Sequence, residues 1–184
     1  MLRDGAADFF RLLLEKKLHC YIVSGGIRSV MNQCLSMLAI QKDIENIESC
    51  FTICATEEKY DEAGRLVSFL EPRVTSVDKA DSLTHEKFPE IKLNVNALVV
   101  GDYILDLHAG DNLNLKTTLS IGFFNGRGDG TLNEYLLAYD IVVLGDGSYR
   151  HVADIVRKII SGDTKCSYRQ VTTSAEYSQF FTKL

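Results

Sequence analysis

Residues Ala97–Leu107 constrain the fold of this 184-residue chain more than any other stretch. A continuous apolar run, Ala97 to Val100, stops at Gly101-Asp102, and a second acid, Asp106, follows four residues later. An apolar run bounded by a Gly turn reads as a strand covered on both faces, the kind that parallel sheets use. The residues after it have helix-compatible spacing, with Leu107, Gly110 and Leu113 to one side. Ligands of open α/β sheets bind beyond the carboxyl ends of the strands, where Asp102 and Asp106 stand. Two carboxylates at a strand tip suit Mg²⁺, which takes one or two of them together with phosphate oxygens. A plain turn with a helix N-cap has the same sequence, and this stretch alone leaves both readings open.

The rest of the chain alternates in the same manner. Residues 2–17 place Leu2, Ala6, Phe9, Phe10, Leu13 and Leu14 on one helical face. His19–Val23 reads as a short strand leaving through Ser24-Gly25-Gly26, and Ile27, Val30, Met31, Cys34, Leu35 and Leu38 then repeat as a second amphipathic helix. A strand–Ser-Gly-Gly–helix unit suits a phosphate, because glycines admit an anion to the backbone, the helix start offers unpaired N–H groups and Ser24 adds a hydroxyl. A turn that needs glycine only for its φ angles looks the same. Phe51–Thr56 and Leu66–Leu70, around Asp61-Glu62-Ala63-Gly64, read as a hairpin. Lys79 opens a weak helical segment, where a lysine is ordinarily a solvated charge. Residues 119–124 and 140–144 read as strands, and 132–139 and 152–160 as helices. The glycines of the Asn125–Gly130 loop carry no dinucleotide pattern and are discounted, and Gly145-Asp146-Gly147, which lacks a second carboxylate, reads as a turn. Strands alternating with helices predict an α/β fold with a mostly parallel sheet.

A net charge of -5 excludes a general nucleic-acid footprint or a polybasic membrane surface. Five cysteines without a CxxC pair fit a reducing compartment better than a disulfide framework, and Cys20, Cys34 and Cys54 sit in apolar patterns that predict burial. The opening Met1-Leu2-Arg3-Asp4-Gly5 is not that of a secretory signal, and no apolar run approaches a membrane span. The expected setting is cytoplasmic.

The order of these parts is informative. A strand ending in Ser24-Gly25, then Lys79, then a strand ending in Gly101-Asp102 with Asp106 beyond resembles the second, third and fourth motifs of the haloacid dehalogenase superfamily. The likeness is closer still to its cytosolic pyrimidine 5′-nucleotidases. It extends to Leu2-Arg3-Asp4-Gly5 with Phe9-Phe10, to Tyr60–Gly64, to Asp78-Lys79, and to Ser120–Asn125 and Tyr139–Val143. It covers residues 1–160, expected to form a partial haloacid dehalogenase-like, Rossmann-like core, and leaves 161–184 as a tail without a counterpart.

The resemblance implies hydrolysis of nucleoside 5′-monophosphates through an aspartyl-phosphate. Ser24 and the Gly25 N–H would hold the substrate phosphate, and Lys79 would neutralise it. Asp102 would ligate Mg²⁺, and Asp106 would order metal water or Lys79. The implied partner is a small nucleotide, with no nucleic-acid polymer and no membrane. Three departures stand beside it. Bulky Tyr103 and Leu105 replace small residues in the fourth motif, and Ser24-Gly25-Gly26 replaces Ser-Ala-Gly. Most important, no Asp-x-Asp-x-Thr follows an apolar strand, so the motif that supplies the nucleophile, its central strand and the base-reading cap are absent. The chain alone is therefore expected to be inactive, with its strands 19–23 and 97–101 either leaving an open slot or pairing directly. A slot would favour dimerisation or completion by a preceding segment. The alternative is a non-catalytic relative that binds a phosphate ligand or a protein.

Overall fold

The computed structural model describes residues 3–126, 130–145 and 147–162. The expectations for Leu2, for the middle of the Asn125–Gly130 loop, for Asp146 and for most of the tail lie outside them. The chain divides into two compact units, Met1–Ala153 and Asp154–Leu184. All the residues discussed below lie in the first. In the second, the described residues continue helix α5 (Arg150–Ser161), where Arg157 pairs with Asp154 at 2.8 Å.

Helix α1 (Ala6–Lys16) buries Ala6, Phe9, Phe10 and Leu13 as its spacing predicts, with Leu12 buried in place of Leu14. Strand β1 (Cys20–Ile27) leads into α2 (Arg28–Lys42) and pairs in parallel with β2 (Phe51–Thr56). The Ser24-Gly25-Gly26 segment is part of β1 rather than its exit. Its register slips between Ser24 and Ile27, and the helix starts one residue later than the sequence suggests. The hairpin is also displaced. Its arms are β3 (Glu58–Tyr60) and β4 (Leu66–Phe69), while Phe51–Thr56 belongs to the β1–β2 pair. Its turn is held by Asp61, whose carboxylate accepts the N–H groups of Ala63 and Arg65.

After the short helix α3 (Lys79–Ser82), strand β5 (Val95–Gly101), a 3₁₀ segment (Ile104–Gly110), β6 (Leu115–Phe124), α4 (Leu132–Ala138) and β7 (Ile141–Leu144) build a parallel three-stranded sheet in the order β5-β6-β7. Strand β6 has neighbours on both sides, and its four consecutive residues Ser120, Ile121, Gly122 and Phe123 are buried. The organising strand β5 is different. None of its residues is fully buried, and the same holds for β1. Among the described residues β5 pairs only with β6, and β1 only with β2. Among the described residues the two strands do not pair with each other, so direct pairing, one of the two expected outcomes, is not seen. The complete burial that its apolar sequence predicts for β5 is not reached. Cys34 corrects the cysteine reading in the same way: it is exposed on α2, while Cys50 and Cys54 are buried. A two-stranded sheet covers only the Leu35–Leu38 side of that helix.

Aromatic packing ties α1 to β6. The ring of Tyr149 lies between Phe9, at 5.4 Å, and Phe123, at 5.2 Å.

Candidate active site

The site forms where β5 ends. Gly101 and Gly122 are register partners at the carboxyl ends of β5 and β6, and neither has room for a side chain. A Cβ on Gly101 would stand 2.4 Å from the Asp106 carboxylate, and one on Gly122 would stand 2.4 Å from the Tyr139 ring. The paired glycines thus make space for an acid on one strand and a phenol on the other.

Asp106 is the hub. Its Oδ2 accepts the N–H groups of Asp102, at 3.1 Å, and Tyr103, at 3.3 Å. Its Oδ1 accepts Lys79 Nζ at 2.5 Å, and the two side chains are only 13% and 11% exposed. Three donors therefore share one carboxylate, which is how a buried charge is tolerated. Two further hydrogen bonds hold the loop from behind. Tyr135 donates to the Asp102 carbonyl at 2.6 Å, and Tyr139 donates to the Tyr103 carbonyl at 2.7 Å.

Lys79 is presented by α3. Just before it, the Thr75 hydroxyl and N–H donate to Asp78, holding that carboxyl below its usual range. The same segment touches the phosphate-cradle candidate, since a Cβ on Gly25 would lie 3.5 Å from the Val74 carbonyl and 3.6 Å from the Ser76 nitrogen. Ser24 turns its hydroxyl to the Gly26 N–H at 3.1 Å. Lys79 and Asp102 thus meet through Asp106. Gly25 lies beside residues 74–76, which precede Lys79, and the Ser24 hydroxyl is engaged by the Gly26 N–H.

Asp102 points outward and is 63% exposed. Its Oδ2 faces Asn125 Nδ2 at 3.5 Å and the Arg3 guanidinium at 3.9 Å. Arg3 also donates to Asn125 Oδ1 at 2.7 Å and lies 4.4 Å from the centre of the Phe123 ring. Among the described residues no three His, Cys, Asp or Glu side chains cluster as a metal site. Asp106, with both oxygens engaged, is a poor direct ligand. The donor set nevertheless fits Mg²⁺ at the modest level that ion demands, one outward carboxylate completed by water and phosphate oxygens.

Sequence reasoning missed Tyr149, Tyr135, Tyr139 and Arg3. Burial pushes the Tyr149 phenol up to about 12, and the charges of Cys20, Asp102 and Asp106 add to this while Arg3 opposes it, so it stays protonated beside the carboxylates. The available signals were faint: a glycine inside β6, and two tyrosines four apart, Tyr135 on α4 and Tyr139 just past its end.

The profile of the pyrimidine 5′-nucleotidase (UMPH-1) family matches residues 1–160. The chain belongs to that family. It is 27% identical over 162 residues to a 7-methylguanosine phosphate-specific 5′-nucleotidase A of Xenopus laevis, a match covering 86% of this chain and 52% of that protein. The human 7-methylguanosine phosphate-specific 5′-nucleotidase is 24% identical over 163 residues, covering 87% of this chain and 52% of its own. This family member thus spans about half the length of the curated relatives it matches. Its fold is similar to that of cytosolic 5′-nucleotidase IIIB bound to cytidine, with a TM-score of 0.68 at 19% identity over 88% of this chain and 54% of that one. Among the described residues no helix is long and apolar enough to cross a membrane.

Proposed function

We propose that this chain carries the phosphate-handling part of a cytoplasmic 5′-nucleotidase that acts on nucleoside 5′-monophosphates. The observation that carries the reading is the Lys79–Asp106 pair, which hooks α3 onto the loop at the carboxyl end of β5. An ammonium held there by a well-bonded carboxylate is a fixed positive charge, and phosphoryl transfer depends chiefly on positioning and charge stabilisation. In this proposal Lys79 neutralises the phosphate, and Ser24 and the Gly25 N–H bind its oxygens. Asp106 fixes Lys79 and the Asp102–Tyr103 peptide. Asp102 would hold Mg²⁺, which when bound would supply Lewis-acid stabilisation of the phosphate oxygens. The relatives' names point to a small nucleotide as substrate, 7-methylguanosine phosphate among them. Neither a nucleic-acid polymer nor a membrane enters the proposal.

The aspartyl-phosphate step needs a carboxylate nucleophile from an Asp-x-Asp motif, which this sequence does not contain. The chain by itself is therefore proposed to bind phosphate without turning nucleotides over. A second reading, a non-catalytic phosphate-binding relative, draws on the Arg3 guanidinium beside Asp102, a cation already facing the carboxylate that a metal would use. The test is phosphate release from UMP, CMP and 7-methylguanosine monophosphate with Mg²⁺ present, on this chain and on its Asp102→Asn variant. No release from the chain alone is expected, with release restored when a segment carrying an Asp-x-Asp strand is joined ahead of it. Failure of the joined protein would favour the non-catalytic reading. Robust turnover by the chain alone, lost in the variant, would mean that another residue is the nucleophile.

A further inference from the structure

Two buried phenols converge on consecutive carbonyls of the site loop. We propose that Tyr135 and Tyr139 are positioning residues that lock the Asp102–Asp106 loop in its phosphate-binding form. This rests on the phosphate reading above and adds residues to which that reading gives no role.

The peptide unit between Asp102 and Tyr103 is pinned at both ends. Its carbonyl accepts from Tyr135 at 2.6 Å, and its N–H donates to Asp106 Oδ2 at 3.3 Å. The next carbonyl, that of Tyr103, accepts both the Tyr139 phenol, at 2.7 Å, and the Asp106 N–H, at 2.9 Å. Asp106, the acceptor for Lys79, therefore follows a backbone whose 102–103 and 103–104 peptide planes cannot rotate without breaking a phenol bond. Glycine or small residues in such a loop would leave it free. Here the loop carries Tyr103 and Leu105, and the phenols supply the restraint from outside.

A tyrosine needs some partner for its hydroxyl when buried, and that need alone would be met by any nearby carbonyl. Three features exceed it. Both phenols choose the same dipeptide, which is the one that begins the site. Both rings are almost wholly buried, 2% and 4% exposed, and they stack at 5.8 Å, so neither has an alternative rotamer to adopt. The Tyr139 ring also occupies the space left by Gly122, the register partner of Gly101. Strand β6 is thus shaped to admit the phenol that holds the loop of β5.

The experiment uses the full chain with Tyr135→Phe and Tyr139→Phe, and with Leu35→Ala as a core variant remote from the site. Amide exchange at Asp102, Tyr103 and Asp106 is followed by NMR, and orthophosphate is titrated against each protein. Loss of one such bond is expected to speed exchange at these three amides roughly three- to tenfold and to weaken orthophosphate binding by a similar factor. Leu35→Ala should lower overall stability while leaving both readouts at parental values. Parental exchange and binding in both phenylalanine variants would overturn the proposal, as would an equal change in Leu35→Ala, which would reduce the phenols to ordinary core residues. If the parent chain binds no orthophosphate, the phosphate reading fails, and the amide exchange alone then decides whether the phenols hold the loop.

Discussion

Lys79 and Asp106 form the contact on which the site depends most. Both are nearly buried, so removing one leaves the other charge poorly compensated. Lys79→Met is expected to destabilise the chain by on the order of 3 kcal/mol, as measured by urea unfolding. Adding Asp106→Asn should return part of that loss, because the two residues act as a unit. Equal and additive losses would show that they do not. Gly101→Ala tests the same seat from the backbone. Its methyl group would stand 2.4 Å from the Asp106 carboxylate and displace it, at a cost of about 1–3 kcal/mol, with Lys79 released alongside. A variant as stable as the parent would contradict this. At this scale the sequence was legible in part. Asp102 and Asp106 were marked by their place after an apolar run. Lys79 stood out only through the order of motifs, since a lysine on a weak helix has no local mark. The phenols reach the loop across 33 and 36 residues of chain, a path no local pattern records.

The elements were legible where their burial depends on their own pattern, and less so where it depends on neighbours. Helices α1, α4 and α5 and strands β6 and β7 follow their apolar spacing to within a few residues. Strand β5 shows every sign of full burial and does not reach it, and among the described residues β1 and β5 each pair on one side only. An unpaired edge presents alternate N–H and C=O groups to whatever arrives. In hydrogen exchange, alternate amides of β1 and β5 should therefore exchange quickly while those of β6 are the slowest of the sheet. Sedimentation should show association that grows with concentration. Uniform protection along β1 and β5 in a protein monomeric at every concentration would mean that the edges are covered. The β3–β4 hairpin was misplaced because Phe51–Thr56 and the hairpin arm at Glu58–Tyr60 run almost continuously. Only the parallel register with β1 separates them.

Over the molecule as a whole, titration at high pH reports the packing between α1, β1 and the site. Burial raises the Cys20 thiol from 9.0 to about 12 and the Cys54 thiol from 9.0 to about 11, and it lifts the Tyr149 phenol from 10.0 to about 12. Between pH 9 and about 12 the unfolded chain has lost protons that the folded chain keeps, so stability is complete below that window and falls as pH rises through it. Urea midpoints should drop across this range, and Tyr149→Phe should lessen the drop above about pH 10. A flat profile would show these groups to be solvated. The fold class and family were legible in the sequence because parallel strands and motif order extend over 160 residues. That β1 and β5 each pair on one side among the described residues was one of two outcomes the sequence left open.

Lys79, seated on Asp106, is proposed to make this chain a phosphate-binding unit. Titration of orthophosphate against the parent and Lys79→Met, followed by ³¹P NMR at neutral pH, tests it most directly. Saturable binding by the parent is expected, with at least a roughly tenfold loss in the variant, the effect of removing one charged hydrogen bond of about 1.5–3 kcal/mol. Binding of equal strength in the two proteins, or none in either, would contradict it.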